Sequence, residues 1–215
     1  SGSLAGVDLK RFDAERLRAP AAEARAQLGI APQAKVIVFV GRVTRDKGIV
    51  ELVAAFGTLT NAALVLVGPL EPERDPLPAE TLAEIKRNPA IYSTGYDPNP
   101  ERYLAFADLL CLPSYREGFG IVVIEAAALG VPCVGTDIVG LSDAVVHGKT
   151  GLLVPPKDAL ALATALETLL GDDNIRNAMG VAACERVVTD FDSRKLEAML
   201  LQEYAALAAG DQPRP

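Results

Sequence analysis

The chain of 215 residues contains no tryptophan, only one histidine and only three cysteines. Its longest apolar stretches, such as 36–40 and 64–67, are far too short to span a bilayer. No basic segment followed by an apolar run marks a secretory signal. An odd number of cysteines without metal-ligand spacing favours free thiols over a disulfide or a zinc site. We therefore expect a cytoplasmic protein with reduced cysteines and no bound metal.

Basic residues are also few, since 21 lysines and arginines face 28 acidic residues and leave a net charge of −7. An extended nucleic-acid surface needs clustered lysine and arginine, so no nucleic-acid partner is expected. The same deficit gives this segment no strong attraction to anionic lipid. Half of the residues are hydrophobic, which is enough for the core of one large α/β domain.

Apolar strand-like runs alternate along the chain with segments of helical periodicity. A β-branched run at 35–41 ends in glycine, and the next segment carries Ile49, Leu52 and Phe56 at helical spacing. Further strands are predicted at 62–68, 90–94, 108–112, 131–135 and 151–154, and further helices at 78–87, 100–107, 120–129, 141–146, 158–170, 174–188 and 193–209. This alternation predicts a Rossmann-like, doubly wound parallel sheet with helices on both faces. Such sheets bind ligands at the carboxyl ends of their strands, near the switch point.

The two ends of the chain differ from this pattern. Residues 1–20 are polar and irregular, which is typical of a linker, with a short helix over 17–28 interrupted at Pro20. Residues 21–192 form the predicted α/β domain. Residues 193–215 are predicted to form a C-terminal helix followed by a loose tail from residue 210.

The loop after the first predicted strand, 41–48, contains two basic residues at the strand's carboxyl end. An anion bound there would meet Arg42, Lys47 and the free N–H groups of the following helix. The loop lacks the glycine spacing of a P-loop or a dinucleotide fingerprint. Taken alone, it is equally compatible with two solvated basic side chains in a turn.

The loop after the fourth predicted strand contains two glycines and leads to two glutamates. Gly118 and Gly120 allow the backbone to approach a ligand closely, and Glu117 lies beside them. Glu125 lies within the next helix, roughly 8 Å further along. At that separation the two carboxylates suit different parts of one extended ligand better than a close acid/base pair. An outward-pointing surface glutamate is the alternative for Glu125.

These motifs resemble those of a known enzyme family. Glu117-Gly118-Phe119-Gly120 followed by Glu125 resembles the signature of two glutamates, separated by seven residues, in family 4 retaining glycosyltransferases of the GT-B fold. Gly41-Arg42 with Lys47-Gly48 resembles their basic donor loop. Further similar segments follow in the family's order at 107–108, 113–114, 130–134 and 148–154, and residues 6–8 resemble its interdomain linker. The chain is identified as the C-terminal, donor-binding domain of such an enzyme.

The resemblance implies that the ligand is a nucleoside diphosphate sugar, UDP- or GDP-linked, with no separate cofactor. Arg42 and Lys47 would neutralise the diphosphate in place of a divalent metal, Glu117 would contact the donor sugar, and Glu125 would bind the ribose hydroxyls. Tyr96 would lie near the base. The remaining implied binding residues are Gly41, Gly118, Phe119, Gly120, Ile121 and Val122. The implied reaction is retaining, metal-independent transfer to a sugar, glycan or lipid-linked acceptor.

The same resemblance implies that an N-terminal, acceptor-binding domain is missing from this chain. We therefore expect the chain to bind nucleotide but to transfer sugar slowly or not at all. Membrane contact is expected only through the missing domain. The full-length enzyme could therefore be a peripheral protein of the inner membrane. An exposed interdomain surface, namely the helix face of Leu196, Met199, Leu200, Tyr204 and Leu207, could drive homodimerisation.

Two other functions stay open at this point. A nucleotide-sugar epimerase or sugar phosphorylase of the same fold would be expected to show a catalytic histidine setting or a cofactor lysine site, and neither is found. A non-catalytic nucleotide-sugar-binding module would keep the fold and the pocket without sugar turnover.

Overall fold

The computed structural model of the chain describes residues 5–208. These residues form a three-layer α/β domain with a six-stranded sheet. The strands are β1 (Lys35–Val40), β2 (Ala62–Val67), β3 (Ile91–Gly95), β4 (Leu109–Leu112), β5 (Cys133–Thr136) and β6 (Gly151–Val154). The helices are α1 (Ala14–Gln27), α2 (Ile49–Phe56), α3 (Ala79–Arg87), α4 (Glu101–Leu104), α5 (Ile121–Ala128), α6 (Leu141–Ala144), α7 (Ala159–Gly171), α8 (Asp173–Asp190) and α9 (Ser193–Ala208).

The sheet is parallel throughout and has the strand order β3-β2-β1-β4-β5-β6. Ile37 of β1 pairs with Leu64 of β2 on one side and with Leu109 of β4 on the other. The chain order therefore reverses between β1 and β4, and the loops that follow these two strands meet at the switch point. This topology confirms the predicted Rossmann-like, doubly wound sheet with helices on both faces.

The central strands form the core because their side chains are apolar on both faces. Residues 36–39 of β1 and 109–111 of β4 are completely buried. Helix α2 packs against α7, and α5 packs against α8. Cys111 and Cys133 lie within this core as free thiols, and burial raises the pKa of both, that of Cys133 to about 12. The prediction of free cysteines is confirmed.

The predicted interruption of the first helix at Pro20 is wrong. Helix α1 begins at Ala14, where the Asp13 carboxylate accepts a hydrogen bond of 2.7 Å from the Arg16 N–H, and it continues through Pro20. Proline removes one backbone hydrogen bond from a helix interior. Burial of Leu17, Ala21 and Ala24 on both sides of that position stabilises the helix across the missing bond.

Residues before α1 pack onto the domain. The Val7 N–H donates to the Phe191 carbonyl at 2.8 Å, and the Ser193 N–H donates to the Val7 carbonyl at 3.1 Å. Val7 and Phe12 are both buried. The segment expected to be a linker is therefore attached along the end of α8 and the start of α9, while the proposed domain boundaries themselves stay a prediction.

Other element boundaries differ by small amounts from those predicted. Helix α4 covers only four residues of the predicted 100–107, and a 3-10 turn at Arg45–Lys47 was not predicted. Residue 209 and the predicted loose tail lie outside the described residues. Across residues 5–208, none of the helices combines the length and the apolar character needed to cross a membrane.

The apolar face predicted on α9 is partly exposed. Met199 and Tyr204 are exposed, whereas Leu196 and Leu200 are half-buried. The side chain of Leu207 lies outside the described part of the chain. Homodimerisation through this face stays a prediction.

Candidate functional site

A cleft of about 480 Å³ opens at the carboxyl ends of β1, β2 and β3. Its floor is formed by the ends of β1 and β2, and its walls by the loop after β3, by α5 and by the segment before α1. It brings together four residues predicted from the sequence to bind ligand, namely Gly41, Arg42, Tyr96 and Glu125. Tyr96 is 77% exposed, so its ring projects beside the cleft without being packed in the core.

Arg42 enters this cleft between two carboxylates. Its guanidinium nitrogens lie 3.4 Å from Asp46 Oδ2 and 3.4 Å from Glu71 Oε2, which is long for charge-assisted hydrogen bonds. Burial would raise the pKa of Asp46, but the hydrogen bond from Thr44 and the charges of Arg42 and Lys47 outweigh it and lower that pKa. Arg42 thus forms two long ion pairs, and a bound anion that makes shorter contacts with the guanidinium can replace them.

Lys47 and Glu117 lie outside the cleft lining and form an ion pair beside it. Lys47 Nζ is 2.5 Å from Glu117 Oε1, and the Ser114 hydroxyl donates to the same oxygen at 2.8 Å. Both charged side chains are largely shielded from solvent, with 16% and 15% exposure. The structure therefore joins the predicted cation and the predicted carboxylate to each other rather than to Arg42 or Glu125.

The loops after β1 and β4 fit together because glycine occupies position 48. Gly48 has φ of +70°, and a Cβ there would lie 2.0 Å from the Pro113 carbonyl oxygen. The Tyr115 N–H also donates to the Asp46 carbonyl at 2.9 Å. Backbone contact thereby positions Lys47 opposite Glu117 at the switch point.

The second glycine-containing loop leads directly into α5. Gly120 precedes the helix with φ of +66°, and a Cβ there would lie 2.7 Å from Leu141 Cδ2. A Cβ at Gly118, by contrast, would meet none of the described part of the chain within 4 Å, so the backbone at that residue borders open space. Among the residues that the structure describes, no side chain caps the start of α5, which leaves the first N–H groups of the helix, at Ile121 and Val122, available to an anion. Phe119 is half-buried and packs against Phe191 with ring centroids 5.4 Å apart.

Glu125 projects from α5 into the cleft. It is half-buried, and none of the residues from 5 to 208 forms a hydrogen bond or ion pair with its carboxylate. Burial raises the pKa of Glu125, the nearby charge of Arg11 opposes that shift, and Glu101 adds to it. A half-buried carboxylate without a protein donor is an acceptor that a bound ligand can satisfy.

Two charged residues that line the cleft, Arg11 and Asp97, were not predicted from the sequence. Arg11 Nη2 lies 2.8 Å from Glu101 Oε2, and both residues come from segments that had been assigned to a linker and a helix. Asp97 accepts a hydrogen bond of 2.8 Å from the Tyr103 hydroxyl and forms an ion pair with Arg102, which fixes the loop that carries Tyr96. Burial would raise the pKa of Asp97, but the hydrogen bond from the Asn99 N–H, together with Tyr103 and Arg102, outweighs it and lowers that pKa. No spacing motif links Arg11 to Glu101, so only the tertiary structure reveals the pair.

Comparison with known proteins identifies the family of this chain. The family model for glycosyl transferases group 1 matches residues 21–186. A D-inositol 3-phosphate glycosyltransferase from Corynebacterium urealyticum is 40% identical over 186 residues, which cover 81% of this chain and 43% of that protein.

Solved structures show the same relationship. Sucrose-phosphate synthase from Thermosynechococcus elongatus superimposes with a TM-score of 0.82 and 34% identity, covering 96% of this chain and 52% of that one. The Anabaena protein Alr3699/HepE, solved in complex with UDP-glucose, gives a TM-score of 0.82 at 24% identity, covering 94% of this chain and 56% of that one. This chain spans about half the length of the curated relatives it matches. It belongs to the glycosyl transferases group 1 family, as a domain of the C-terminal GT-B type.

Proposed function

We propose that this chain is the donor-binding domain of a family 4 retaining glycosyltransferase and binds a nucleoside diphosphate sugar. The observation that carries the proposal is the half-buried carboxylate of Glu125, which lies in the same cleft as Arg42 and has no hydrogen-bond or ion-pair partner among residues 5–208. A ribose offers hydroxyl donors to the carboxylate, and the attached diphosphate offers anionic oxygens to the guanidinium. The complex of the structural neighbour HepE with UDP-glucose supports this class of ligand.

The residues around the switch point suit the departure of a diphosphate. As the glycosidic bond breaks, negative charge grows on the leaving phosphate, and cations placed beforehand lower the barrier. Arg42 and Lys47 provide those cations, and the uncapped start of α5 at Ile121 and Val122 provides N–H donors. These groups would do the work that a divalent metal does elsewhere, so the proposed transfer is metal-independent.

Glu117 has the proposed role of contacting the donor sugar beside the open backbone of Gly118. In the structure its Oε1 atom already accepts hydrogen bonds from Lys47 and Ser114. Lys47 can turn from Glu117 towards a bound diphosphate, and the carboxylate then becomes free to accept a sugar hydroxyl. Retention would follow from departure and attack on the same face of the sugar, with the acceptor held by a separate N-terminal domain. We propose a cytoplasmic enzyme whose sugar, glycan or lipid-linked acceptor is bound by that domain.

Calorimetric titration of the chain with UDP and with GDP tests this proposal. We expect saturable binding of at least one of them, unchanged by EDTA, and at least tenfold weaker binding to Glu125→Gln. Glu185→Gln, a carboxylate on α8 outside the cleft, serves as the matched control and should bind like the unaltered chain. Absence of binding to both nucleotides at millimolar concentration would contradict the proposal. Sugar transfer itself requires the full-length enzyme, and the isolated chain should turn over UDP-sugar slowly or not at all.

A further inference from the structure

Ser114 is a buried polar residue after the carboxyl end of β4, in the loop that also contains Glu117. Its solvent exposure is 0%, and its hydroxyl donates a hydrogen bond of 2.8 Å to Glu117 Oε1. The Thr136 hydroxyl, at the end of β5, donates to the Ser114 carbonyl. A serine hydroxyl has only one hydrogen to donate. The donor of Ser114 is therefore committed to Glu117, and its burial keeps the residue itself away from any ligand.

The two oxygens of the Glu117 carboxylate have different surroundings. Oε1 accepts hydrogen bonds from both Ser114 and Lys47, whereas none of the residues from 5 to 208 donates to Oε2. The backbone of Glu117 packs closely against the loop after β5, since a Cβ at Gly140 would lie 2.6 Å from the Glu117 carbonyl oxygen. Oε1 is thus bound within the protein, while Oε2 keeps its capacity to accept hydrogen bonds from a ligand.

The hydrogen bond from Ser114 becomes decisive when Lys47 leaves Glu117. In the proposed function Lys47 turns towards the bound diphosphate, and Ser114 is then the remaining donor to Oε1. The terminal torsion of a glutamate side chain is broad, so close packing of the backbone does not set the plane of the carboxylate. A buried donor that binds one of the two oxygens does set it.

We propose that Ser114 is a positioning residue of the donor site, which holds Glu117 by Oε1 so that Oε2 accepts a hydroxyl of the donor sugar. This inference rests on the proposed function. Because the carboxylate is already ordered in the folded protein, it loses little rotational freedom when the sugar binds. Ser114 therefore contributes to the affinity for the sugar and not to the affinity for the nucleoside diphosphate.

A purely structural role of Ser114 predicts a different result. If the hydroxyl only braces the loop after β4, its removal weakens UDP and a UDP-sugar to the same extent, because that loop leads into α5 and its N–H donors. If the hydroxyl acts through Glu117, its removal weakens only the ligand that carries a sugar. A nucleotide compared with its own sugar derivative separates the two cases.

The experiment is calorimetric titration of the chain and its Ser114→Ala variant with UDP and with one UDP-sugar. That sugar is whichever of UDP-glucose, UDP-galactose and UDP-N-acetylglucosamine the unaltered chain binds most tightly, and GDP with GDP-mannose replaces the pair if GDP binds more tightly than UDP. We expect Ser114→Ala to bind the UDP-sugar about fivefold more weakly and UDP within about twofold of the unaltered chain. In a Glu117→Ala chain, the same substitution should cause no further loss, because the group through which it acts is absent.

Two more variants complete the test. Ser114→Cys keeps a weaker donor of similar shape and should weaken the UDP-sugar by a smaller factor, and it replaces Ser114→Ala if that variant fails to fold in a thermal melt. Thr150→Val removes another buried hydroxyl, which accepts from the Val146 N–H at 2.8 Å beside β6, and it should leave both affinities unchanged. Equal weakening of both ligands by the Ser114 substitutions, or no weakening of either, would overturn this inference while the chain still bound UDP. Failure of the unaltered chain to bind any nucleoside diphosphate would instead refute the proposed function.

Discussion

Lys47 Nζ lies 2.5 Å from Glu117 Oε1, and this ion pair joins the loop after β1 to the loop after β4. The strands concerned are neighbours in the sheet although many residues separate them in sequence. Because the pair lies at the switch point, where a doubly wound sheet binds its ligands, it couples the stability of the empty site to the binding of an anion. Separate substitutions of its two members distinguish these contributions.

Lys47→Met should lower the free energy of unfolding by about 2 kcal/mol, because it leaves the shielded Glu117 carboxylate without its cation. Urea denaturation measures this change. Adding Glu117→Gln to the same chain should restore most of the stability, since the uncompensated charge is gone, but should not restore affinity for UDP. Arg45→Met, an exposed cation of the same loop, is the control and should denature like the unaltered chain. Full stability of Lys47→Met would show that the ion pair contributes nothing.

Arg42→Met should weaken UDP binding by on the order of 10- to 100-fold, because the diphosphate loses a charge-assisted contact. Binding of uridine, which has no phosphate, should change little. Calorimetry with both ligands measures the difference. Arg74→Met removes a mostly exposed cation that lies 3.9 Å from the same Glu71 carboxylate, and it should affect neither ligand. Equal weakening of UDP and uridine by Arg42→Met would place Arg42 away from the phosphates.

UDP binding should weaken as the pH falls through the pKa of Glu125. Burial raises that pKa above its ordinary value of 4.5, so protonation begins at a higher pH than for an exposed glutamate. The protonated carboxyl loses capacity to accept hydrogen bonds from ribose, and affinity is therefore greatest above this pKa and lost below it. Glu125→Gln should bind weakly without this pH dependence, and measurement in the same buffers cancels the titration of the nucleotide's own phosphates. Identical pH profiles for the two chains would exclude Glu125 from the binding site.

Alanine at Gly120 should change stability, whereas alanine at Gly118 should change ligand binding. Gly120→Ala should lower the free energy of unfolding by about 1 to 3 kcal/mol, because the new Cβ meets Leu141 in a backbone conformation that favours glycine. Gly118→Ala should leave stability unchanged, since its Cβ enters open space, but should weaken UDP-sugar binding if ligand occupies that space. Thermal melts with and without ligand measure both effects. Unchanged ligand stabilisation in Gly118→Ala would mean that the ligand lies elsewhere.

The parts of the fold set by local sequence were predictable. Strands β1, β2 and β4 are short apolar runs that a covered parallel sheet requires, and each was placed within one residue of its observed bounds. Helix α1 begins three residues before its predicted start, at the Asp13 cap. Pro20 predicts an interruption, but the buried side chains around it keep the helix continuous.

The candidate site was predictable only in so far as its residues belong to loops and to a helix at one edge of the sheet. Arg42 and Glu125 do share a cleft, as expected, but Lys47 pairs with Glu117 instead of facing the same space. Arg11 was not predicted because the ion pair that it forms with Glu101 joins segments 90 residues apart. Such a pair depends on how helices and loops pack after the sheet has formed, which no periodicity in the sequence encodes.

The contact of Val7 with the segment around Asp192 has a mechanical consequence. Two backbone hydrogen bonds and the close approach of Gly6 to Ser193 fasten these remote stretches side by side. A force that rotates either segment is therefore transmitted to the other, so that the two segments move as one unit. Because Arg11 lies only four residues after Val7, rotation of this unit would also displace the side of the cleft that Arg11 lines.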